Sequence, residues 1–196
     1  MSVLPKTMVI AVAAPPGGGK TTLSKTISAK LGNAPILHYD DFERFTRQSP
    51  AEIEAWLDRG ALLDEIPAPG FAEELKKMRT SGAQYIVVDG PLGRAHPPTA
   101  AMIDFLLFVD TPLDIALARV VRDQARLAAR SSEPGAARDF AMWLDGYLDN
   151  YMRFMRRSYE VQRTTVMPQA DLVLDGTFTP QRLCELAMLA ISKRGH

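Results

Sequence analysis

The sequence predicts an α/β fold in three layers, in which helices cover both faces of a five-stranded parallel sheet. Short apolar, β-branched runs, typical of strands buried on both faces, recur along the chain, and helical patterns separate them. This alternation predicts βαβ units and therefore a mainly parallel sheet. The five predicted strands are residues 7–13, 36–39, 85–89, 105–110 and 171–174.

Helical patterns cover most of the remaining chain, over residues 21–31, 50–58, 71–80, 139–157 and 180–192. Another helix is expected after the fourth strand, with Thr111 as its cap and Pro112 in its first position, and it runs to about residue 129. The polar segment 131–135 then separates the two long helices. We expect one domain over residues 1–196, with a helical lid around residues 122–138.

Composition and charge exclude several classes of protein. Of 196 residues, 23 are basic and 23 acidic, which argues against a basic nucleic-acid-binding module. The single cysteine, Cys184, rules out an intrachain disulfide and suits a reducing compartment. No apolar run approaches the roughly 20 residues that span a bilayer. We expect a cytoplasmic monomer or homodimer with no nucleic-acid or membrane partner.

The N-terminus has one feature that resembles a secretory signal. Lys6 precedes the short apolar run 8–14, but that run leads straight into a segment rich in proline and glycine. A buried first strand explains the same residues better.

Residues 14–21, APPGGGKT, match the phosphate-loop pattern, with Ala14 in place of its first glycine. Glycines let backbone N–H groups turn toward a phosphate, and the following helix adds the positive end of its dipole. The Lys20 ammonium would reach the β- and γ-phosphates of a nucleotide, and the Thr21 hydroxyl would ligate Mg²⁺. Ala14 fits only if its φ is not positive. The predicted nucleotide-binding residues are Ala14, Pro15, Pro16, Gly17, Gly18, Gly19, Lys20, Thr21 and Thr22.

Carboxylates stand at the carboxyl ends of three predicted strands, the fourth strand ending at Asp110, and ligands bind at this edge in parallel sheets. Asp40 and Asp41 end the second strand, and Asp89 ends the third. Phosphoryl transfer to a hydroxyl needs one carboxylate to orient and deprotonate the acceptor and another for Mg²⁺. The alternative is that these residues only form turns.

Arginines recur along one face of the helix after the fourth strand, at positions 119, 122, 126 and 130. Guanidinium groups bind phosphate oxygens through paired hydrogen bonds, so this row of arginines suits a lid that closes on a nucleotide. The alternative is a solvated face on which Asp123 pairs with Arg119.

Two further groups have open interpretations. Trp143, Tyr147 and Tyr151 recur along the next helix, and we expect them to be core rather than a base-stacking platform. The loop after Asp89 carries Arg94 and His96, which either line the acceptor pocket or belong to a plain structural loop.

Together these segments resemble the uridine kinase-like branch of the P-loop kinases, which includes the nicotinamide riboside kinases. The resemblance spans residues 8–176 and is carried by four segments: 13–22 (AAPPGGGKTT), 39–42 (YDDF), 88–91 (VDGP) and 108–123 (FVDTPLDIALARVVRD). It implies that Asp40 is the catalytic base, that Asp89 serves the metal and that Arg119 and Arg122 are lid arginines. The chain departs from the family beyond Asp123 and over residues 46–69, where a pyrimidine-binding segment is expected.

The resemblance and the residues together predict an ATP-dependent kinase of the P-loop NTPase fold. We expect Lys20, Asp40, Arg119 and Arg122 to be catalytic, and Thr21, Asp40 and Asp89 to hold Mg²⁺. Its acceptor would be the hydroxyl of a nucleoside or nucleoside-like small molecule, bound near Asp41, Arg94 and His96. Two alternatives are a kinase of the same fold for a non-nucleoside or phosphorylated acceptor, and a non-catalytic ATP-binding sensor. The absence of an Asn-Lys-x-Asp motif weakens a GTP-dependent switch.

Overall fold

Five parallel strands form one sheet in a computed structural model that describes residues 7–194. Lys6, part of the signal-like segment, lies outside the described residues. The strands are β1 (Met8–Ala13), β2 (Ile36–His38), β3 (Tyr85–Asp89), β4 (Phe105–Asp110) and β5 (Leu172–Asp175). The helices are α1 (Lys20–Lys30), α2 (Pro50–Asp58), α3 (Phe71–Arg79), α4 (Pro97–Ala100), α5 (Leu113–Arg130), α6 (Ala136–Asn150), α7 (Arg156–Val166) and α8 (Pro180–Arg194).

The strand order is β2-β3-β1-β4-β5, so β1 and the loop that follows it lie at the centre of the sheet. The register aligns Val12 of β1 with Asp89 of β3, and Asp89 in turn with His38 of β2. Because all neighbouring strands are parallel, their carboxyl ends share one edge. The predicted α/β fold is confirmed, and each predicted strand lies within one residue of its observed bounds.

Each face of the sheet carries its own apolar core, because residues alternate between faces along every strand. On one face, Ile10 and Leu107 pack against α1 and α8. On the other, Phe108 packs in the cluster that includes side chains of α2, α3 and α7. Trp56 of α2 lies in this second core, and its Nε1 donates a hydrogen bond to the Leu62 carbonyl at 3.0 Å. Part of the segment that departs from the family pattern is therefore structural.

Two helix predictions are wrong in detail. The helix after β4 begins at Leu113, and Thr111 forms no cap because its hydroxyl donates instead to the Gly18 carbonyl at 2.9 Å. The helix predicted over residues 139–157 starts at Ala136 and continues, through a π-helical turn at Tyr151–Met155, to Val166. Val166 at its end is buried in the core with Leu106 and Phe108 of β4, a long-range contact that single-sequence periodicity does not reveal. The short helix α4 was not predicted.

The aromatic row is not core along α6, contrary to expectation, since α6 has no buried residue. The rings of Trp143 and Tyr147 stack on each other with centroids 4.9 Å apart, and both side chains are half-buried. Tyr151, in the π-helical turn, is buried. Among residues 7–194, no helix combines the length and apolar character that crossing a bilayer would require.

Candidate active site

The loop between β1 and α1 has the backbone of a phosphate-binding turn. Gly17 and Gly19 have φ of +75° and +98°, values that favour glycine, and the Gly18 N–H donates to the Pro15 carbonyl at 2.8 Å. Ala14 is buried and does not have positive φ, so its methyl group meets the condition set by the sequence. A Cβ on Gly18 would lie 2.8 Å from the Ala14 Cβ, and glycine at 18 therefore makes room for alanine at 14.

Helix α5 supports this loop from the side of β4. A Cβ on Gly17 would collide with the Ala116 carbonyl, which shows how closely the first turn of α5 approaches the loop. The buried Thr111 hydroxyl holds the Gly18 carbonyl immediately before the helix. The loop is therefore fixed by β4 and α5 before any ligand binds.

The structure brings the predicted lysine and the predicted base together. Asp40 lies in a 3₁₀ turn directly after β2, and its Oδ2 is 3.8 Å from Nζ of Lys20, the first residue of α1. The Lys20 side chain is 13% exposed, whereas that of Asp40 is 68% exposed and accessible to a bound molecule. Asp41 is exposed and has no ion-pair partner among residues 7–194.

Asp89 occupies the end of β3 and is 3% exposed. Its Oδ2 lies 3.0 Å from His38 Nδ1, and its buried Oδ1 has no hydrogen-bond partner within the described part of the chain. An unpartnered buried carboxylate oxygen is costly unless a ligand satisfies it. This fits the predicted role of Asp89 beside a cation.

The oxygen donors at this edge suit Mg²⁺, which prefers oxygen ligands and binds through one or two carboxylates together with substrate phosphates. They are the Thr21 hydroxyl and the carboxylates of Asp40 and Asp89. Residues 7–194 contain no group of three or more His, Cys, Asp or Glu side chains arranged to hold a metal by themselves. A cation here would therefore depend on the nucleotide for part of its coordination.

A cavity of about 420 Å³ opens beside the loop and suits a nucleotide. Its walls come from residues 17–23, from Arg119, Arg122 and Asp123 of α5, and from Phe178, Pro180 and Leu183. Arg119 does not pair with Asp123 but donates to the Gly176 carbonyl at 2.9 Å, so α5 is tied to the loop after β5. Arg126 and Arg130 are exposed farther along α5 and do not line this cavity.

The sequence reasoning missed Phe178, Thr111 and His38. Phe178 lines the cavity from the loop after β5, and the rule that ligands bind at strand carboxyl ends could have indicated it. His38 lies one residue before the end of the predicted second strand, so the same rule applies to it.

A larger cavity, about 970 Å³, lies beside the carboxyl ends of β4 and β5. Residues of the π-helical turn and α7 close it, and the Asp110–Arg163 ion pair, with N–O distance of 2.7 Å, lies in its wall. None of its lining residues belongs to the phosphate loop. The smaller cavity, which residues of the loop line, is therefore the candidate site for the predicted nucleotide.

Arg94 does not reach the predicted acceptor side. Its guanidinium donates to Asp171 at 2.6 Å and to the Asp104 carbonyl at 3.4 Å, both at the amino ends of strands. The crossover from β3 must descend along the sheet to reach the start of β4, and it carries Arg94 away from the carboxyl edge.

His96 lies in the same descending segment and is buried among aromatic rings. Its ring centroid is 6.0 Å from that of Tyr39 and 5.6 Å from that of Phe71, and its Nδ1 is 2.8 Å from the Thr99 hydroxyl. These contacts favour a structural loop over an acceptor pocket: Arg94 lies at the opposite edge of the sheet, and the His96 side chain is buried.

His96 should make the fold sensitive to mild acid. Burial lowers the pKa of its imidazole below the ordinary 6.5, so the unfolded chain binds a proton where the folded chain does not. As the pH falls below about 6.5, the free energy of unfolding should decrease by up to about 1.4 kcal/mol per pH unit from this group. Urea denaturation across this range measures the slope. His96→Gln should flatten it, and an unchanged slope in that variant would contradict the assignment.

No protein-family model and no curated protein sequence matches the chain. Solved structures match along nearly its whole length. A sugar kinase from a Janibacter species is 20% identical, with a TM-score of 0.55 and 95% of each chain covered. A gluconokinase from Sinorhizobium meliloti is 14% identical, with a TM-score of 0.54, 96% of this chain and 94% of that chain covered.

A deoxyadenosine kinase from M. mycoides with bound dATP is 16% identical, with a TM-score of 0.51, and the match covers 94% of this chain and all of that one (100%). Similarity at these identities defines the fold. The chain has the three-layer α/β fold of these small-molecule kinases, and the loop of residues 14–21 follows β1, the central strand of its sheet.

Proposed function

We propose that the chain is an ATP-dependent kinase that transfers the γ-phosphoryl group of ATP–Mg²⁺ to a hydroxyl of a small metabolite. The observation that carries the proposal is the 3.8 Å approach of Lys20 Nζ to Asp40 Oδ2. Lysine is a residue type that binds the phosphates in phosphoryl transfer, and aspartate is one that deprotonates an acceptor hydroxyl, so the two groups needed for transfer lie side by side.

The backbone N–H groups of the loop and the start of α1 would bind the β-phosphate of the nucleotide. Lys20, at the same point, would offset charge on the β- and γ-phosphates, where the negative charge of the transition state is spread. Asp40 would orient the acceptor hydroxyl and accept its proton. Its exposure allows this, because an acceptor can approach the carboxylate from solvent.

When bound, Mg²⁺ would offset the negative charge that develops on the phosphates during transfer. Thr21, Asp40 and Asp89 would hold it. Arg119 and Arg122 line the nucleotide cavity and would add positive charge as a lid over residues 122–138 closes.

For the acceptor we propose a nucleoside or a nucleoside-like compound, as in the uridine kinase-like branch. The similarity of residues 39–42 (YDDF) to the Asp-x-Phe element of that branch supports this choice, and the Phe42 ring of this segment packs 5.6 Å from that of Phe71. A phosphorylated acceptor has less support, because the hydrogen bonds of Arg94 hold it at the other end of the sheet. That the chain acts in the cytoplasm, as a monomer or homodimer, stays a prediction.

A screen of nucleosides, vitamins and sugars with ATP and Mg²⁺ tests the function. We expect one class of acceptor to gain the mass of a phosphoryl group, in proportion to the ADP formed. The matched control omits the acceptor and measures hydrolysis of ATP alone. ATP binding without any phosphorylated product across the screen would contradict a kinase and favour a nucleotide sensor.

A further inference from the structure

Asp89, which the proposed function assigns to the cation, is paired with His38, which has no role in the proposed transfer. They are register partners on the neighbouring strands β2 and β3, and their side chains meet at 3.0 Å between Nδ1 and Oδ2. Ionised carboxylates only accept hydrogen bonds, so the imidazole must donate its Nδ1–H to Asp89.

The strand alternation places Asp89 on the face of the sheet that α1 covers. Val87, two residues earlier, packs in the core formed with α1 and α8, and side chains two residues apart share a face. Asp89 is also the register partner of Val12, two residues before the phosphate loop begins at Ala14. The carboxylate therefore lies near the first turn of α1, which carries Lys20 and Thr21.

The two oxygens of Asp89 have different surroundings. Oδ2 is bound to His38, whereas the buried Oδ1 has no partner among residues 7–194. A carboxylate held at one oxygen cannot rotate freely about its last bond. The hydrogen bond from His38 thus selects which oxygen stays available.

We infer that His38 is a positioning residue, which holds the Asp89 carboxylate so that Oδ1 is presented to the Mg²⁺ of the bound nucleotide. The inference rests on the proposed function and deepens it, because it says how this chain prepares its cation site. Partners that orient a metal-binding group commonly change metal affinity about 10–100-fold when they are removed.

Two substitutions separate the hydrogen bond from the space that the ring fills. His38→Phe keeps a ring but removes the donor, and His38→Asn keeps an amide donor near the position of Nδ1. The His38 side chain is 36% exposed, so neither substitution creates a cavity in the core. Circular dichroism and the urea midpoint confirm that each variant folds.

The measurement is the affinity for ATP by calorimetry over a series of Mg²⁺ concentrations and in EDTA. We expect His38→Phe to require about tenfold more Mg²⁺ for half-maximal enhancement of ATP binding. Its affinity for ATP in EDTA should match that of the unaltered chain. His38→Asn should stay close to the unaltered chain in both conditions.

Three outcomes would overturn the inference: an unchanged Mg²⁺ requirement in His38→Phe, an equal loss of affinity in EDTA, or ATP binding by the unaltered chain that does not depend on Mg²⁺. The second outcome would show a merely structural role. Mg²⁺-dependent ATP binding that is weakened in His38→Phe, but with no product in any acceptor screen, would contradict the kinase proposal and support the inference.

Discussion

Asp40→Asn should lower the rate of phosphoryl transfer at saturating substrates by about 10²–10⁴-fold and leave the affinity for ATP in EDTA nearly unchanged. The amide can still hydrogen-bond to an acceptor hydroxyl, but it cannot take the proton that the hydroxyl must lose. The pair with Lys20 is open to solvent on the Asp40 side, so its loss should affect nucleotide affinity little. Turnover is measured with the acceptor found in the screen, and ATP affinity by calorimetry.

Asp41→Asn is the matched control, because it removes the same charge from the adjacent, exposed position. It should keep most of the rate at saturating acceptor, because Asp41 is predicted to lie near the acceptor but not to take its proton. Near-normal turnover in Asp40→Asn would show that Asp40 is not the base. An equal loss in both variants would assign the effect to the charge of the turn rather than to one carboxylate.

Lys20→Ala should weaken both ATP binding and phosphoryl transfer. A hydrogen bond to a charged group contributes about 1.5–3 kcal/mol, so the affinity for ATP should fall by tenfold or more. The rate at saturating ATP should also fall by about 10²–10³-fold, because the ammonium offsets charge that develops during transfer. Calorimetry measures the affinity for ATP, and rates at saturating substrates isolate the effect on transfer.

Lys25→Ala serves as the control for Lys20→Ala. Lys25 lies on the exposed side of the same helix, outside the nucleotide cavity, and its loss removes an equal charge. Its affinity and rate should match those of the unaltered chain. If Lys20→Ala bound ATP as well as Lys25→Ala, the assignment of the loop to nucleotide phosphates would be wrong.

Local patterns explain why so much of the fold could be predicted. Each strand is a short apolar run, and the phosphate loop depends on glycines that act within a few residues. The start of α2 at Pro50 was predicted, and it too depends on a local contact. The side chains of Ser49 and Glu52 form a reciprocal capping box there.

The failures at Thr111 and Arg94 involve partners that are distant in the sequence. Thr111 has the composition of a helix cap, but the Gly18 carbonyl, 93 residues away, accepts its hydrogen bond instead. Arg94 follows a predicted site residue closely, yet Asp171, 77 residues away, holds its guanidinium. The approach of Lys20 to Asp40 likewise depends on the order of strands, which no local pattern encodes.

Helix α5 begins against the phosphate loop and extends away from it. Its first turn lies against Gly17, Arg119 ties its middle to the loop after β5, and its far end carries the connection to α6. Its 18 residues make it about 27 Å long, so a tilt of about 5° about the first turn would move the far end by about 2 Å. If nucleotide binding tilts α5, as the proposed function allows, the largest movement would fall at this far end, within the proposed lid over residues 122–138.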